Sequence, residues 1–121
     1  LMEEQELTHY SVPKAQMESI TKSYELDWFF LPIKDVDIPD AAFEQAWNIA
    51  GPQIFNLLNN GQSILVHCLG GLGRSGTIAA CLLVELGIDP DEAIDRVRLA
   101  RPGAIETKAQ ENYVREKEWL S

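Results

Sequence analysis

One stretch, residues 64–84, constrains the fold more than any other part of the sequence. Its first three residues are apolar and follow Asn59-Asn60-Gly61, which predicts a short buried strand. Residues 77–84 are almost entirely apolar and predict a buried helix. The loop between them carries glycine at positions 70, 71, 73 and 76. Such a strand–loop–helix unit is typical of an anion cradle, because backbone N–H groups converge and the helix dipole adds positive charge.

Two side chains distinguish this loop from an ordinary nucleotide-phosphate loop. Cys68 opens it and Arg74 closes it, with five residues between them. A thiol in an N–H cradle facing a guanidinium has a pKa below the free value of about 8.5, which makes it a nucleophile at neutral pH. Arg74 can bind two phosphate oxygens, and Ser75 can donate a hydrogen bond to the departing sulfur. A Walker loop would end in Gly-Lys-Ser/Thr, and that lysine is missing here. These residue types therefore indicate phosphate as a covalent partner.

The string HCLGGLGRS resembles the signature of the cysteine-dependent protein tyrosine phosphatases, which is His-Cys, five residues and Arg-Ser. Longer strings resemble the dual-specificity branch, and within it the kinase-associated type: CLGGLGRSGTIAACLLVELG, DEAIDRVRLARPGAIET and LPIKDVDIPD. The likeness extends over roughly residues 26–120. It implies an α/β fold, in which helices flank a central, mostly parallel sheet. It also implies catalysis without a metal or any other cofactor.

The resemblance further implies a reaction in two steps. Cys68 would attack phosphorus to form a phosphocysteine, which water then hydrolyses. The phosphate oxygens would be bound by the Arg74 side chain and by backbone N–H groups of the loop, namely those of Leu69, Gly70, Gly71, Leu72, Gly73 and Arg74. Phosphoinositides fit less well as substrates, because Leu69 and Leu72 stand where lysines would hold extra phosphates.

In this family an acid after the preceding strand protonates the leaving oxygen. Asp35 occupies that place in the pattern Pro-Ile-x-Asp, and it would later act as the base for water. Asp37, two residues later, is the second candidate. Asp40 is expected inside the following helix. Without the resemblance, these acids could simply be helix-start residues that the dipole favours.

Gln110 has two competing interpretations. Thr107-x-x-Gln110 matches a capping box, which would satisfy two helix N–H groups and require no chemistry. In the family, a glutamine at this place can instead hydrogen-bond the water that hydrolyses the phosphocysteine. His67 is interpreted as a buried histidine that orients the loop. Cys81 lies roughly 10 Å past Arg74 along a helix, too far to resolve an oxidised Cys68, and is interpreted as packing.

Apolar periodicity and helix signals predict the other elements. They are a helix over about 12–25, a strand over 26–33, a helix beginning at Pro39, a helix closed by Gly87, another beginning at Asp89-Pro90, and a last one from Thr107 to about Leu120.

Only two strands are convincing, around residues 28–31 and 64–66, and a two-stranded sheet is rarely stable alone. The resemblance implies further strands before the first of these, so residues 1–121 are predicted to form a single phosphatase domain that is N-terminally incomplete. The missing strands are expected from another segment or from a partner copy, because an unpaired central strand offers its backbone to other chains.

Charge and composition exclude several classes of partner. The formal net charge of the 121 residues is −9, which argues against nucleic acids and anionic membranes. No run approaches the roughly 18 apolar residues of a membrane span. Two cysteines in this context fit a reducing compartment, so a cytoplasmic location is predicted.

The sequence thus predicts a phosphoprotein phosphatase for phosphotyrosine, phosphoserine/threonine or both. Its expected partners are a phosphoprotein substrate, with protein kinases among the candidates, and a phosphate- or sulfate-like anion in the site. Two alternatives are a catalytically weak phosphopeptide-binding module and a rhodanese-like sulfurtransferase. The presence of a nucleophile, an arginine and a candidate acid argues against both.

Overall fold

The computed structural model describes residues 1–119. It contains six helices in that range: α1 (Glu4–His9), α2 (Lys14–Ser23), α3 (Ala41–Asn59), α4 (Gly73–Glu85), α5 (Pro90–Ala100) and α6 (Lys108–Glu116). The helix that follows the glycine-rich loop, α4, packs against both α5 and α6, which also contact each other. α1 packs against α2.

The predicted sheet is not confirmed. None of the described residues is assigned to a strand, so the strands predicted over 26–33 and 64–66 are both wrong as strands. A strand needs a hydrogen-bonded neighbour, and here Leu1 alone lies between the two segments. Its nitrogen donates to the carbonyl of His67 at 2.9 Å, and its carbonyl accepts from the N–H of Ile33 at 3.0 Å. Beyond Leu1, both segments line a groove of about 430 Å³ instead of pairing.

The aromatic residues of α3 pack with Trp119 in the core. Phe43 and Trp47 stack with ring centroids 6.1 Å apart, and Trp119 packs on Trp47 at 4.3 Å. α3 begins after Asp40, whose Oδ1 accepts from the N–H of Phe43 at 2.8 Å. Asp40 is therefore the N-cap and not an interior residue, because its short carboxylate satisfies an otherwise unpaired N–H group.

The other helix predictions are confirmed with shifted ends. α2 falls within the predicted 12–25, although its apolar residue Ile20 and its C-cap, Tyr24, are exposed. Asp89 caps α5 as predicted, and Gly87 follows α4 with a φ of +101°. α6 ends at Glu116, because the chain turns to an extended conformation at the next residue. The predicted end of this helix at Leu120 lies outside the described residues.

The short helix α1 was not predicted. Its N-cap is Glu3, and Glu6 closes a capping box by accepting from the Glu3 N–H at 3.0 Å. Leu7 of this helix and Met2 just before it are buried, which holds α1 against the rest of the molecule. No helix within residues 1–119 has both the length and the apolar character that crossing a membrane requires.

Candidate active site

The glycine-rich loop runs directly into α4. This helix begins at Gly73 rather than at residue 77, so Arg74 and Ser75 lie in its first turn. The backbone N–H groups of residues 69–75 donate no hydrogen bond to an oxygen of the described residues. Gly71 has a φ of +71°, which lets the loop turn back on itself. The result is a set of unpaired donors at a helix N-terminus, which is the arrangement that binds an oxyanion.

The thiol of Cys68 lies at the start of this loop and is partly buried. Burial is the largest single influence on its pKa and would raise it. The Ser75 hydroxyl, the N–H groups of Ser75 and Gly71, and the charge of Arg74 act together in the opposite direction. Their sum outweighs burial, so the pKa of Cys68 is lowered from its ordinary value. This shift favours the thiolate, which is the nucleophilic form.

The Ser75 hydroxyl is the one buried side-chain polar atom among the described residues that has no hydrogen-bond partner. It is close enough to Cys68 to favour the ionised sulfur, but no well-aligned hydrogen bond joins the two. Leaving a buried hydroxyl unpaired costs about 1–3 kcal/mol.

The Arg74 guanidinium is only 2% exposed and is bound from two sides. Nη1 donates to Glu6 Oε1 at 2.6 Å and Nη2 donates to Glu6 Oε2 at 3.0 Å. Nη1 also donates to the carbonyl of Ile33 at 2.9 Å and to that of Leu1 at 3.4 Å. On the other side, Asp35 Oδ1 lies 3.4 Å from Nη2. Nε donates to no acceptor among the described residues, so the Nε edge of the guanidinium is left without a partner there.

Sequence reasoning missed Glu6. Two signals could have indicated it, since a buried arginine requires a carboxylate and Glu3-x-x-Glu6 has the spacing of a capping box. Neither signal specifies which of the 19 acidic residues would reach Arg74.

The two candidate acids occupy different positions. The carboxylate of Asp35 lies next to Arg74, and its side chain is 63% exposed at the mouth of the cradle. Both carboxylates accept from the N–H of the next residue, Asp35 from Val36 at 2.9 Å and Asp37 from Ile38 at 2.8 Å, but Asp37 forms no ion pair with Arg74. The structure therefore brings Asp35 to the loop and leaves Asp37 outside it.

The capping interpretation of Gln110 is confirmed. Its Oε1 accepts from the N–H of Thr107 at 3.2 Å, while Thr107 Oγ1 accepts from the N–H of Gln110 at 3.0 Å. Its Nε2 donates to the carbonyl of Asp37 at 3.1 Å, which ties α6 to the segment that carries the acids. A Cβ at Gly73 would lie 3.1 Å from Nε2, so the amide packs directly on the first turn of α4. One N–H of the amide remains for another acceptor.

Residues after α5 brace the loop. The N–H of Ile105 donates to the carbonyl of Leu72 at 3.2 Å. Gly76 allows this approach, because a Cβ there would be 3.0 Å from the backbone nitrogen of Ile105. The Arg98 side chain donates to the carbonyl of Ile105 at 2.9 Å, which holds the segment after α5 in place. Arg101 donates to the carbonyl of Gly70 at 3.3 Å.

The two remaining candidate residues, His67 and Cys81, are not part of the oxyanion cradle. His67 is partly buried, and burial lowers its pKa, which favours the neutral ring. Cys81 is fully buried, and burial raises the pKa of its thiol. Within residues 1–119, no three His, Cys, Asp or Glu side chains are grouped so that they could hold a metal ion.

A family profile described as "Swiss Army Knife protein, DSP-PTPase phosphatase domain" matches residues 7–114. The chain belongs to the dual-specificity branch of the protein tyrosine phosphatases. Curated relatives agree with this assignment. Cyclin-dependent kinase inhibitor 3 of Rattus norvegicus is 40% identical over 114 residues, which cover 92% of this chain and 51% of that protein. Protein tyrosine phosphatase domain-containing protein 1 of Mus musculus is 34% identical over 114 residues, which cover 93% of this chain and 14% of that protein.

A solved structure of the same branch has a similar fold. It is the crystal structure of kinase associated phosphatase with its catalytic-site cysteine substituted by serine. It matches with a TM-score of 0.80 and 34% identity, over 93% of this chain and 62% of that one. The arrangement of helices around the loop is therefore that of a phosphatase of this family. The chain spans about half the length of the cyclin-dependent kinase inhibitor 3 of rat.

Proposed function

We propose that this chain is the catalytic part of a phosphoprotein phosphatase that works through a phosphocysteine. The observation that carries the proposal is the combination of Cys68, whose pKa is lowered, with an N–H cradle in front of Arg74. A thiolate, converging donors and an open guanidinium edge are what an in-line attack on a phosphate ester requires.

In the first step the Cys68 sulfur attacks phosphorus, and the bond between phosphorus and the ester oxygen breaks. The protonated carboxyl of Asp35 transfers its proton to that oxygen, which leaves as an alcohol or phenol. The loop N–H groups of residues 69–74 and the Arg74 side chain stabilise the equatorial oxygens. Asp35 is exposed at the mouth of the cradle, where a leaving group would lie.

In the second step water attacks the phosphocysteine. Asp35 takes a proton from the water, the S–P bond breaks, and inorganic phosphate and the Cys68 thiolate are released. The Ser75 hydroxyl, which has no other partner among the described residues, would stabilise the departing sulfur. Gln110 would orient the water through its remaining N–H group while its oxygen continues to cap α6.

The proposed substrates are phosphoproteins that carry phosphotyrosine, phosphoserine or phosphothreonine. The names of the relatives, which include a cyclin-dependent kinase inhibitor and a kinase associated phosphatase, support a protein kinase as the candidate partner. The net charge of −9 supports a protein rather than a nucleic acid as the substrate. A reducing, cytoplasmic setting would keep Cys68 as a free thiol.

Hydrolysis of p-nitrophenyl phosphate without added metal tests the proposal. The unmodified chain should turn over, and Cys68→Ser should lose about 10⁴-fold or more in kcat, because no comparable nucleophile remains. Cys68→Ser should still bind inorganic phosphate, measured by calorimetry. Cys81→Ala is the matched control and should keep its activity. Full activity in Cys68→Ser would exclude the mechanism, and phosphate binding without any turnover in the unmodified chain would indicate a binding module instead.

The same assay tests the acid. Asp35→Asn should lower kcat by about 100-fold and remove one limb of the pH–rate profile, since the amide cannot transfer a proton. Asp37→Asn makes the same change two residues away and should have little effect. If Asp37→Asn were the damaging variant, the acid would be misassigned.

We further propose that residues 1–121 are one catalytic domain that is N-terminally incomplete, and that another segment of the same polypeptide fills the groove in extended conformation. The walls of the groove, around Trp28-Phe29 and Ile64-Leu65, have backbone groups without partners among the described residues, and Leu1 already bonds toward both sides. Amides of residues 64–66 should exchange with solvent rapidly in this chain and slowly in a longer one. A stable, monodisperse and fully active monomer of residues 1–121 would contradict this proposal.

A further inference from the structure

We propose that Arg101 is a positioning residue: by binding the Gly70 carbonyl outside the cradle, it turns the N–H group of Gly71 inward, toward the nucleophile and the phosphate. This inference rests on the proposed function, because it concerns the donors of the same cradle. Arg101 is the residue at which α5 ends, and its Nη2 lies 3.3 Å from the Gly70 oxygen.

The peptide bond between Gly70 and Gly71 carries both contacts. A peptide bond is planar and trans, so the C=O of one residue and the N–H of the next point in opposite directions. Arg101 Nη2 also lies 3.7 Å from the place where a Cβ of Gly71 would be, so the guanidinium lies beside this peptide. At the opposite end of the peptide, the N–H of Gly71 acts on the Cys68 sulfur and lowers the pKa of that thiol. A hydrogen bond to the C=O therefore sets the direction of a donor to the nucleophile.

The loop itself does not determine the orientation of this peptide. Rotating the peptide by about 180° changes ψ of Gly70 and φ of Gly71, and glycine accepts either sign of φ at little cost. Gly71 has a φ of +71° in the structure. A Cβ at Gly70 would meet nothing within 4 Å, so packing does not hold the peptide either. A flipped peptide would point the Gly70 oxygen at the site of the thiolate and the phosphate, and its partial negative charge would repel both.

The peptide that follows Leu72 is held in another way. The Leu72 carbonyl accepts from the N–H of Gly76 at 3.0 Å and from that of Ile105 at 3.2 Å, so two backbone donors fix it. Ile105 makes this contact with a φ of +60°, which is a strained conformation for a β-branched residue. Among the described residues, the Gly70 carbonyl accepts from Arg101 alone. The orientation of the first peptide thus depends on one side chain.

Arg101 is well placed for this contact. Its N–H donates to the carbonyl of Val97 at 2.8 Å, its carbonyl accepts from the N–H of Ala104 at 3.1 Å, and Pro102 favours its extended backbone. Within residues 1–119, its guanidinium forms no ion pair with a carboxylate. Each of the other arginines forms one, namely Arg74, Arg96, Arg98 and Arg115. The Arg101 side chain is therefore available to the loop.

The test measures the pH dependence of Cys68 alkylation in the Cys81→Ala background and calorimetric binding of inorganic phosphate in the Cys68→Ser background. Arg101→Met removes the donor and keeps most of the side-chain stem. It should raise the alkylation midpoint by about half a pH unit and weaken phosphate binding about three- to tenfold, because a flipped peptide is then populated. Arg96→Met is the matched control on α5, since Arg96 pairs with Glu92 and donates to no loop carbonyl. It should leave the midpoint in place and change the phosphate affinity less than about twofold.

Salt separates the direction of the peptide from the charge of Arg101. The other groups that act on the Cys68 sulfur are the same in both variants: Ser75, Arg74 and the terminal amino group of Leu1. About 0.5 M NaCl screens the field of an exposed guanidinium, whereas the direction of a peptide bond does not depend on salt. The difference in midpoint between Arg101→Met and Arg96→Met should therefore persist in salt.

Gly71→Ala tests the peptide directly. A residue with a Cβ is disfavoured at the φ of +71°, so this change should raise the alkylation midpoint by itself. Combined with Arg101→Met it should add little, since both changes favour the same flipped peptide.

Three results would overturn the inference: equal midpoints in Arg101→Met and Arg96→Met, loss of their difference in salt, or additive effects of Arg101→Met and Gly71→Ala. Failure of the proposed function has another signature, because neither alkylation nor phosphate binding requires turnover. An unmodified chain that never hydrolyses an ester would leave the effects of Arg101→Met on both measurements intact.

Discussion

The two ends of α4 carry similar side chains in opposite surroundings. At the N-terminal end are a cysteine, Cys68, and a buried ion pair of Arg74 with Glu6. Further along α4 is a second cysteine, Cys81, and at the last residue of the helix Glu85 forms a buried ion pair with Lys117. The pKa of the first thiol is lowered, whereas burial raises that of the second.

The backbone explains this difference. The N-terminal end offers unpaired N–H groups and a positive dipole to the sulfur of Cys68, and its surface is open. Cys81 lies in the middle of a regular helix, where every nearby N–H group is already bonded within the helix, and it is fully enclosed. The cation of Lys117 lowers the pKa of Cys81, but burial has the larger effect. A cysteine and a cation are therefore not enough for reactivity without free backbone donors.

Alkylation by iodoacetamide should give the largest contrast between the two ends. Cys68 should react in the native protein at least about 1,000-fold faster than Cys81, because Cys81 becomes accessible only when the helix packing opens. The rate at Cys68 should fall as the pH drops through its lowered pKa and stay high above it, because the thiolate is the reacting species. Mass spectrometry of the labelled peptides measures both rates.

Ser75→Ala is the matched variant for the alkylation experiment. It removes the hydroxyl that favours the ionised sulfur, so the midpoint of the pH–rate curve for Cys68 should move upward. The comparison between the two ends fails if Cys81 labels as fast as Cys68 in the folded protein. It also fails if the Cys68 midpoint coincides with that of an ordinary free thiol.

The residues of the candidate site were easier to predict from the sequence than the strands of the fold. Cys68, Arg74 and Ser75 lie within eight consecutive residues, and their spacing alone fixes which groups share one loop. Asp35 required the resemblance, because nothing in its own neighbourhood distinguishes it from Asp37. Glu6 was not found, since a long-range ion pair leaves no periodic pattern in the sequence.

The strand predictions were wrong for a different reason. Residues 28–31 and 64–66 have the composition of strands, but a strand is defined by its neighbour and not by its own residues. The segments line a groove, and it is the residues just after them, Ile33 and His67, that bond to Leu1. The starts of α5 and α6 were predicted more closely, because their caps at Asp89 and Thr107 bond within a few residues, whereas Asp40, the cap of α3, was wrongly placed inside that helix.

The ion pair of Lys117 should matter for stability and not for catalysis, which sharpens the contrast with Arg74. The Lys117 side chain is 2% exposed and also lies over the ring of Trp119, with Nζ 4.7 Å from the ring centroid. Lys117→Met should lower the free energy of unfolding by about 3 kcal/mol, because it leaves the Glu85 carboxylate buried without a partner. Turnover of p-nitrophenyl phosphate at 25 °C should change less than about twofold, since Glu85 is roughly 16 Å from Arg74 along the helix.

Urea unfolding followed by tryptophan fluorescence measures the stability change, and the double variant Lys117→Met with Glu85→Leu serves as its control. Replacing both charges by apolar groups removes the stranded carboxylate, so most of the lost stability should return. If Lys117→Met also lowered kcat severely, the C-terminal end of α4 would be coupled to the oxyanion cradle at its N-terminal end. Such a result would break the separation between a reactive end and a structural end, because the two would then respond as one unit.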